Sequence, residues 1–359
     1  MQKKILIVVG STGGHYFPGI ALGEKIKQFQ PDIEIFFSGE KKISGLEIWR
    51  KKHFKFLPVA VVKRPRRKIF FPFIMISTIY VLIKSITLLK RLNPDLIVCM
   101  GSYVTVFPAL AGLLMGKKVI LHEQNLLPGL ANKILNRFNI PAAITFKETK
   151  KYLKNTIHTG LPLRKELQST EKNFSKYDLS SERKTILILG GSQGAKFINH
   201  LVIDTVNHLD NKKYQFIHIT GRQTYEEVKQ FYQKHNICCF VKDFSYEMPE
   251  LMNLADIAIA RAGAGTMAEL SFKGIPAVFI PYRFGGGHQK YNAEWATKYG
   301  CVIMEEQNAG TQMLINCIKL LEQDLSERKK LFQSASLADT DGKLAKLCLQ
   351  LIERNGKNN

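Results

Sequence analysis

The sequence predicts an α/β protein made of two Rossmann-like domains, each built on a parallel sheet, facing a cleft. Three observations predict this. The 359 residues suit two domains of ordinary size. Short β-branched runs alternate with apolar helical segments, the mark of a parallel sheet covered on both faces. The succession strand, glycine loop, helix also opens the pattern twice, once at Lys4 and again at Thr185.

Lys4 to Val9 is a short apolar run ending at Gly10, as a buried parallel strand should be. The loop GSTGGH follows, then a helical pattern from about Phe17 to Phe29. Ile33 to Ser38, Leu96 to Met100 and Val119 to Leu121 are the next strands, the last two each followed by a loop and an apolar helix. Residues Leu167 to Arg183 are polar and lack a sustained period, as in a linker. Thr185 to Leu189 then starts the second series, with GGSQGA and a helix from about Lys196 to Leu209. Gln215 to Thr220, Cys239 to Val241, Ile257 to Arg261 and Val278 to Pro281 are its further strands. The join falls near Gly160 to Arg183, giving domains of residues 1–163 and 164–341. Residues 342–359 hold an amphipathic helix and tail able to pack back on either domain, with the N-terminal one as the candidate partner.

Composition narrows the function classes. At 45% hydrophobic and 23% charged residues the chain is neither disordered nor collagen-like. Its net charge of +22 favours anionic partners (nucleic acid, anionic membrane or phosphorylated small molecules) or reflects a Lys-rich composition with no partner implied. None of the 6 cysteines forms CxxC or lies at zinc-finger spacing from a histidine, so no metal site is expected. The N-terminal apolar run is too short for a signal peptide core, which places the chain in the cytoplasm with reduced thiols.

The stretch Ile69 to Leu89 has the length of a transmembrane helix. Pro72 and Lys84 oppose a span, since a mid-bilayer lysine costs at least about 2.5–3.5 kcal/mol. The segment KRPRRK, Lys63 to Lys68, stands directly before it and suits anionic headgroups. A surface-docked helix is the favoured reading. A buried domain helix and a true span are the alternatives.

The glycine loops are the candidate ligand sites, although tight packing of a βα turn also asks for glycine. GSTGGH (Gly10 to His15) and GGSQG (Gly190 to Gly194) each stand between a strand and a helix. Such turns let backbone approach an anion at a helix N-terminus. Neither is GxGxxG, and neither is GxxxxGK[ST], which disfavours a P-loop. RAGAGTMAEL (Arg261 to Leu270) repeats the arrangement, with Glu269 about one turn into the helix. Glu269 suits neutral hydroxyls such as a ribose diol, or is simply a solvated helix carboxylate. His15 is a candidate general base, or a hydrogen-bonder at a helix start. Asn125 in HEQN and Gln289 in HQKYNA carry amides able both to donate to and accept from sugar hydroxyls, or to cap loops.

Taken together, GSTGGHYFPG, MGSYV (Met100 to Val104), HEQNLLPGLANK, LPLR ending at Arg164, GGSQGAKFIN, RAGAGTMAEL and HQKYNA resemble the MurG family. These are the peptidoglycan UDP-N-acetylglucosamine:lipid I N-acetylglucosaminyltransferases, and the motifs follow family order over nearly the whole chain. The resemblance implies a GT-B glycosyltransferase architecture. It implies inverting transfer of N-acetylglucosamine from UDP-GlcNAc to the 4-hydroxyl of the MurNAc unit of lipid I. The product is lipid II, for peptidoglycan biosynthesis, cell wall biogenesis, cell shape and cell division. It implies UDP-GlcNAc and undecaprenyl-linked lipid I as substrates, no further cofactor, no metal and no nucleic acid. It also implies peripheral docking on the cytoplasmic face of the cell membrane.

By motif position, the backbone at Phe244 and Ser245 meets the uracil and Glu269 the ribose. Ser192 and the turn Ala264, Gly265, Thr266 meet the diphosphate, with Arg164 nearby. Asn125, His288 and Gln289 touch the GlcNAc. Thr12, Gly13 and Gly14 match the loop that faces the acceptor diphosphate and closes over the donor, and His15 is the matching base candidate. The chain departs from the family at Ser11 and Ser102, where glycine is usual, at Leu161 for Asn, and at Ser245 for an aliphatic residue. A serine in place of glycine is tolerable if its φ is negative. Related transferases with another membrane lipid acceptor, and a UDP-GlcNAc epimerase, are the alternatives. A nicotinamide oxidoreductase lacks its acidic partner to a true GxGxxG, and a nucleic-acid module lacks interleaved aromatics.

Overall fold

A computed structural model describes residues 2–61, 71–191, 194–283 and 286–353. The basic segment Lys63 to Lys68 and the diphosphate candidate Ser192 lie outside the described residues. The chain forms two compact units: Met1–Arg164 with Asp339–Asn359, and Lys165–Ala338. The first thus runs one residue past 163, and the second ends three residues before 341.

The first unit contains strands β1 (Lys4–Val8), β2 (Glu34–Glu40), β3 (Lys55–Val59), β4 (Leu96–Cys99), β5 (Lys118–Glu123), β6 (Ala142–Ile144) and β7 (Thr156–His158). Its helices are α1 (Gly13–Phe29), α2 (Glu47–Lys51), α3 (Phe71–Leu92), α4 (Val106–Leu114) and α5 (Leu130–Asn136). The seven strands are parallel in the order β3-β2-β1-β4-β5-β6-β7. The central strands β1 and β4 are buried throughout but for Lys4, because helices cover both faces. Helix α1 begins at Gly13, four residues before the expected Phe17. The C-terminal helix Lys343–Glu353 places Leu344, Ala345, Cys348, Leu349 and Ile352 in the same core as Ile5, Ile7 and Ile26.

Helix α3 buries one stripe, Val81, Ser85, Leu89 and Leu92, at helical spacing. Its other face exposes Met75, Ile76, Ile79, Tyr80 and Ile83. Among the described residues no helix is long and apolar enough to cross a membrane.

The second unit repeats the plan. Its strands are β8 (Lys184–Leu189), β9 (Tyr214–Ile219), β10 (Cys239–Lys242), β11 (Ile257–Ala260), β12 (Ala277–Phe279) and β13 (Val302–Ile303). Its helices are α6 (Lys196–Val206), α7 (Tyr225–Lys234), α8 (Met248–Leu254), α9 (Ala264–Lys273), α10 (His288–Thr297), α11 (Thr311–Glu322) and α12 (Leu325–Ser334). The sheet is again parallel, in the order β10-β9-β8-β11-β12-β13.

In both sheets the order reverses beside the first strand: between β1 and β4 in one, between β8 and β11 in the other. Open α/β sheets bind ligands where two neighbouring crossovers leave in opposite directions. The glycine loops follow β1, β8 and β11, at these points.

Candidate active site

In the first unit the loop after β1 meets the turn after β4 around one histidine. His15 sits in the first turn of α1, and its backbone N–H donates to the Thr12 carbonyl at 2.9 Å. Its Nδ1 lies 2.9 Å from the Met100 carbonyl. A carbonyl only accepts, so Nδ1 carries the proton and Nε2 keeps the lone pair. Gln124 Nε2 donates to the same carbonyl at 2.8 Å and its side chain also bonds the imidazole. Burial lowers the His15 pKa below its ordinary 6.5, against opposing pulls from Met100, Glu123 and Gln124. The ring is therefore neutral at pH 7, in a single tautomer, and able to take a proton.

Glycine leaves room for that ring. A Cβ on Gly10 would stand 2.7 Å from His15 Cδ2. Gly14 is different, since a Cβ there meets nothing within 4 Å. Its openness is not a packing demand. Thr12 is the exposed N-cap of α1, and Gly13 is buried beside it.

Glu123 organises the HEQN loop. Its buried carboxylate accepts from the backbone N–H of Asn125 at 2.9 Å, that of Gly129 at 3.0 Å and the Asn132 amide at 2.8 Å. The Asn125 backbone is thereby fixed. His122 is a core residue: its Nε2–H donates to the Gly160 carbonyl at 3.1 Å, and burial lowers its pKa to about 4. Arg164 lies half-buried with its guanidinium 5.0 Å from the Phe17 ring centre. Leu161 is fully buried, packed into the core.

The expectation for the serine replacements needs correction at one position. Ser102 has φ +74 and ψ 155, a region essentially reserved for glycine. Its Cβ is also 2.7 Å from where a Gly10 Cβ would be. Ser11 has no positive φ.

In the second unit the loop after β11 leads into α9 through Gly263, the N-cap, at φ −70. The first turn holds Ala264, Gly265 and Thr266, with no acidic residue and no side-chain cap. The helix thus presents its partial positive end with backbone N–H groups not used within the helix. Glu269 is half-buried further along the same helix. At the end of the loop after β8, Gly194 is set by packing: it has φ +76, and a Cβ on it would come 2.5 Å from the Thr220 carbonyl oxygen. Phe244 is exposed and meets Tyr246 edge-on at 4.9 Å, while its N–H is held by the Asp243 carboxylate at 2.8 Å. Ser245 is buried, and its hydroxyl accepts from the Glu247 N–H at 3.0 Å. His288 opens α10 behind Gly287, and Gln289 Oε1 accepts from the Tyr282 N–H at 2.9 Å.

The first unit thus brings together Thr12, Gly13, Gly14 and His15 by sequence adjacency. The second brings Ala264, Gly265, Thr266 and Glu269 onto one helix. The supports of His15, the Met100 carbonyl and Gln124, were not read from sequence. Their only signal was that MGS and HEQN end strands that flank each other in the sheet.

Two parallel-sheet units, each with a glycine loop at its switch point, make the GT-B architecture. Residues 5–144 match the glycosyltransferase family 28 N-terminal domain, and residues 185–346 match its C-terminal domain. A protein of Desulfitobacterium hafniense named UDP-N-acetylglucosamine–N-acetylmuramyl-(pentapeptide) pyrophosphoryl-undecaprenol N-acetylglucosamine transferase is 33% identical, over 96% of this chain and 98% of its own. The Bacillus subtilis protein of the same name is 31% identical, over 95% and 97%. The crystal structure of Acinetobacter baumannii MurG superposes with a TM-score of 0.73 at 21% identity, covering 98% of this chain and 100% of that one. The chain belongs to glycosyltransferase family 28, as a hexosyltransferase of the MurG family within it.

Proposed function

We propose that this protein transfers N-acetylglucosamine from UDP-GlcNAc to the 4-hydroxyl of MurNAc-(pentapeptide)-pyrophosphoryl-undecaprenol, lipid I, with inversion, giving lipid II for peptidoglycan synthesis. The observation that carries the chemistry is the His15 imidazole, neutral and held with Nε2 unprotonated by the Met100 carbonyl. His15 takes the proton from the acceptor hydroxyl as that oxygen attacks the anomeric carbon. The bond to the UDP oxygen breaks and negative charge builds on the diphosphate. The N-terminus of α9, with Ala264, Gly265 and Thr266, stabilises that charge, aided by Ser192 and Arg164. Glu269 accepts hydrogen bonds from the ribose hydroxyls. Phe244 and Ser245 border the uracil, while Asn125, His288 and Gln289 address the GlcNAc. Thr12, Gly13 and Gly14 receive the acceptor's diphosphate; Gly14 is exposed, and a Cβ on it would meet no atom within 4 Å.

The acceptor is a lipid, and the first unit has a surface suited to one. Helix α3 exposes Met75, Ile76, Ile79, Tyr80 and Ile83, and α5 exposes Leu130 and Ile134, followed by Phe138. This apolar surface docks on the cytoplasmic leaflet, and the basic Lys63 to Lys68 segment supports it from the sequence side.

An acceptor screen with labelled UDP-GlcNAc tests this reading. Label on a lipid I analogue supports it. Label on a diacylglycerol, or free sugar released without any lipid, overturns it in favour of another acceptor or an epimerase.

A further inference from the structure

Glu40 ends β2, next to the loop after β1, and is buried. Its Oε1 accepts from the Ser11 hydroxyl at 2.6 Å and from the Tyr103 hydroxyl at 2.6 Å. Its Oε2 pairs with Lys42 at 3.0 Å. One carboxylate therefore ties together the first glycine loop, the end of a neighbouring strand and the turn after β4. The residues joined are far apart in sequence, 29 positions from Ser11 to Glu40 and 63 from Glu40 to Tyr103.

The turn that Tyr103 belongs to is strained. Ser102, directly before it, occupies its glycine-like conformation at φ +74. Such a conformation persists only where its surroundings over-determine it. Here the Ser102 carbonyl accepts from both the N–H and the hydroxyl of Thr105, at 3.2 and 2.8 Å. The Tyr103 to Glu40 bond adds the long-range restraint. Ser102 also closes on Gly10, and Gly101 on the His15 ring, so that the strained turn and the base share one packing environment.

We propose that Glu40 is a positioning residue for the acceptor side of the transferase, anchoring the Gly10 to Gly14 loop through Ser11 and, through Tyr103, the turn after β4 that follows the His15-holding Met100 carbonyl. This rests on the transfer reaction proposed above. The chain places serine at 11, where a glycine would have no hydroxyl to offer, and the carboxylate that receives this hydroxyl receives the tyrosine as well. Burial pushes the Glu40 carboxyl upward, but the hydrogen bonds from Ser11, Tyr103 and Lys42 outweigh it and leave its pKa below the ordinary value. The Tyr103 hydroxyl, raised to about 12 by burial and by Glu40, remains a donor at every working pH. The anchor is therefore ion to hydroxyl at neutral pH, the stronger class of hydrogen bond.

The experiment uses the full-length enzyme with Ser11→Ala, Ser11→Thr, Tyr103→Phe and Glu40→Gln. Ser11→Ala should raise KM for the lipid acceptor about tenfold, with KM for UDP-GlcNAc unchanged. Ser11→Thr, which keeps the hydroxyl, should restore it. Amide hydrogen exchange of residues 10–14 should speed up in Ser11→Ala and Glu40→Gln but not in Ser11→Thr. Adding Ser11→Ala to Glu40→Gln should cost less than it does alone. An unchanged acceptor KM in Ser11→Ala, an equal rise in donor KM, or a threonine no better than alanine overturns the anchor. If the wild type transfers nothing to lipid I, the reaction proposed above fails. The exchange rates then still decide the anchor by themselves.

Discussion

The two units solve one geometric problem with different materials. Each places a loop where its sheet reverses order, but the first fills that place with side chains and the second with backbone. Around the loop after β1 stand an oriented imidazole, a hydroxyl tied to a carboxylate and the strained turn that follows β4. After β11, Arg261 turns to the Ile280 carbonyl and to Glu306, and the loop then carries alanine, two glycines and the N-terminus of α9, which has no side-chain cap. A proton must be accepted at one defined atom, which calls for a titratable group of fixed tautomer. A diphosphate spreads its charge over several oxygens, which suits an array of N–H groups. Similar topology is thus compatible with base chemistry in one unit and anion binding in the other.

The largest effect expected from breaking this contrast is at His15. His15→Ala should lower kcat by about 10²–10⁴, the usual contribution of a general base, with the Kd of UDP unchanged by calorimetry. A parallel loss of UDP affinity would erase the division of roles. Glu269→Ala should do the opposite, weakening UDP by about 1–3 kcal/mol. Acceptor KM measured at saturating donor should stay near wild type.

The glycines sharpen the comparison at a smaller scale. Gly194→Ala puts a Cβ against the Thr220 carbonyl at positive φ, so it should destabilise the protein by more than about 1 kcal/mol. Gly14→Ala enters open space on a helix, so thermal unfolding should show no loss and a gain of up to about 1 kcal/mol. Its penalty should instead appear in acceptor kcat/KM. A Gly14→Ala enzyme with unchanged acceptor kinetics would remove the acceptor from that loop.

Much of this was legible in the sequence because parallel strands buried on both faces write themselves as apolar runs. The strands near Lys4, Leu96, Thr185 and Ile257 stood out for that reason. The strands not read are edge or near-edge pieces. Lys55–Val59 carries Pro58 and pairs on one side only, while Thr156–His158 and Val302–Ile303 are three and two residues long at sheet edges. Helix α1 hid its first turn behind GGH, since glycines do not advertise a helix.

At the candidate site, the place of His15 after a glycine loop marked it as a candidate base. The groups that set its state were not legible, because Met100 acts through its carbonyl, and any residue type supplies one. Glu123 reads as part of a ligand-binding motif, yet its carboxylate is spent on Asn125, Gly129 and Asn132. The Ser11, Glu40 and Tyr103 link was invisible because only the folded sheet brings those positions together.

The most direct measurement is the pH dependence of kcat/KM for the lipid acceptor, in wild type and His15→Ala. Burial lowers the His15 pKa, so the neutral base persists to pH values below its ordinary 6.5 and is lost only as pH falls further. The wild-type rate should therefore rise with pH to a plateau already reached by neutrality, with its midpoint below 6.5. That acid limb should be absent in His15→Ala. A wild-type profile flat through this range, or an identical limb in the variant, would contradict His15 as the base.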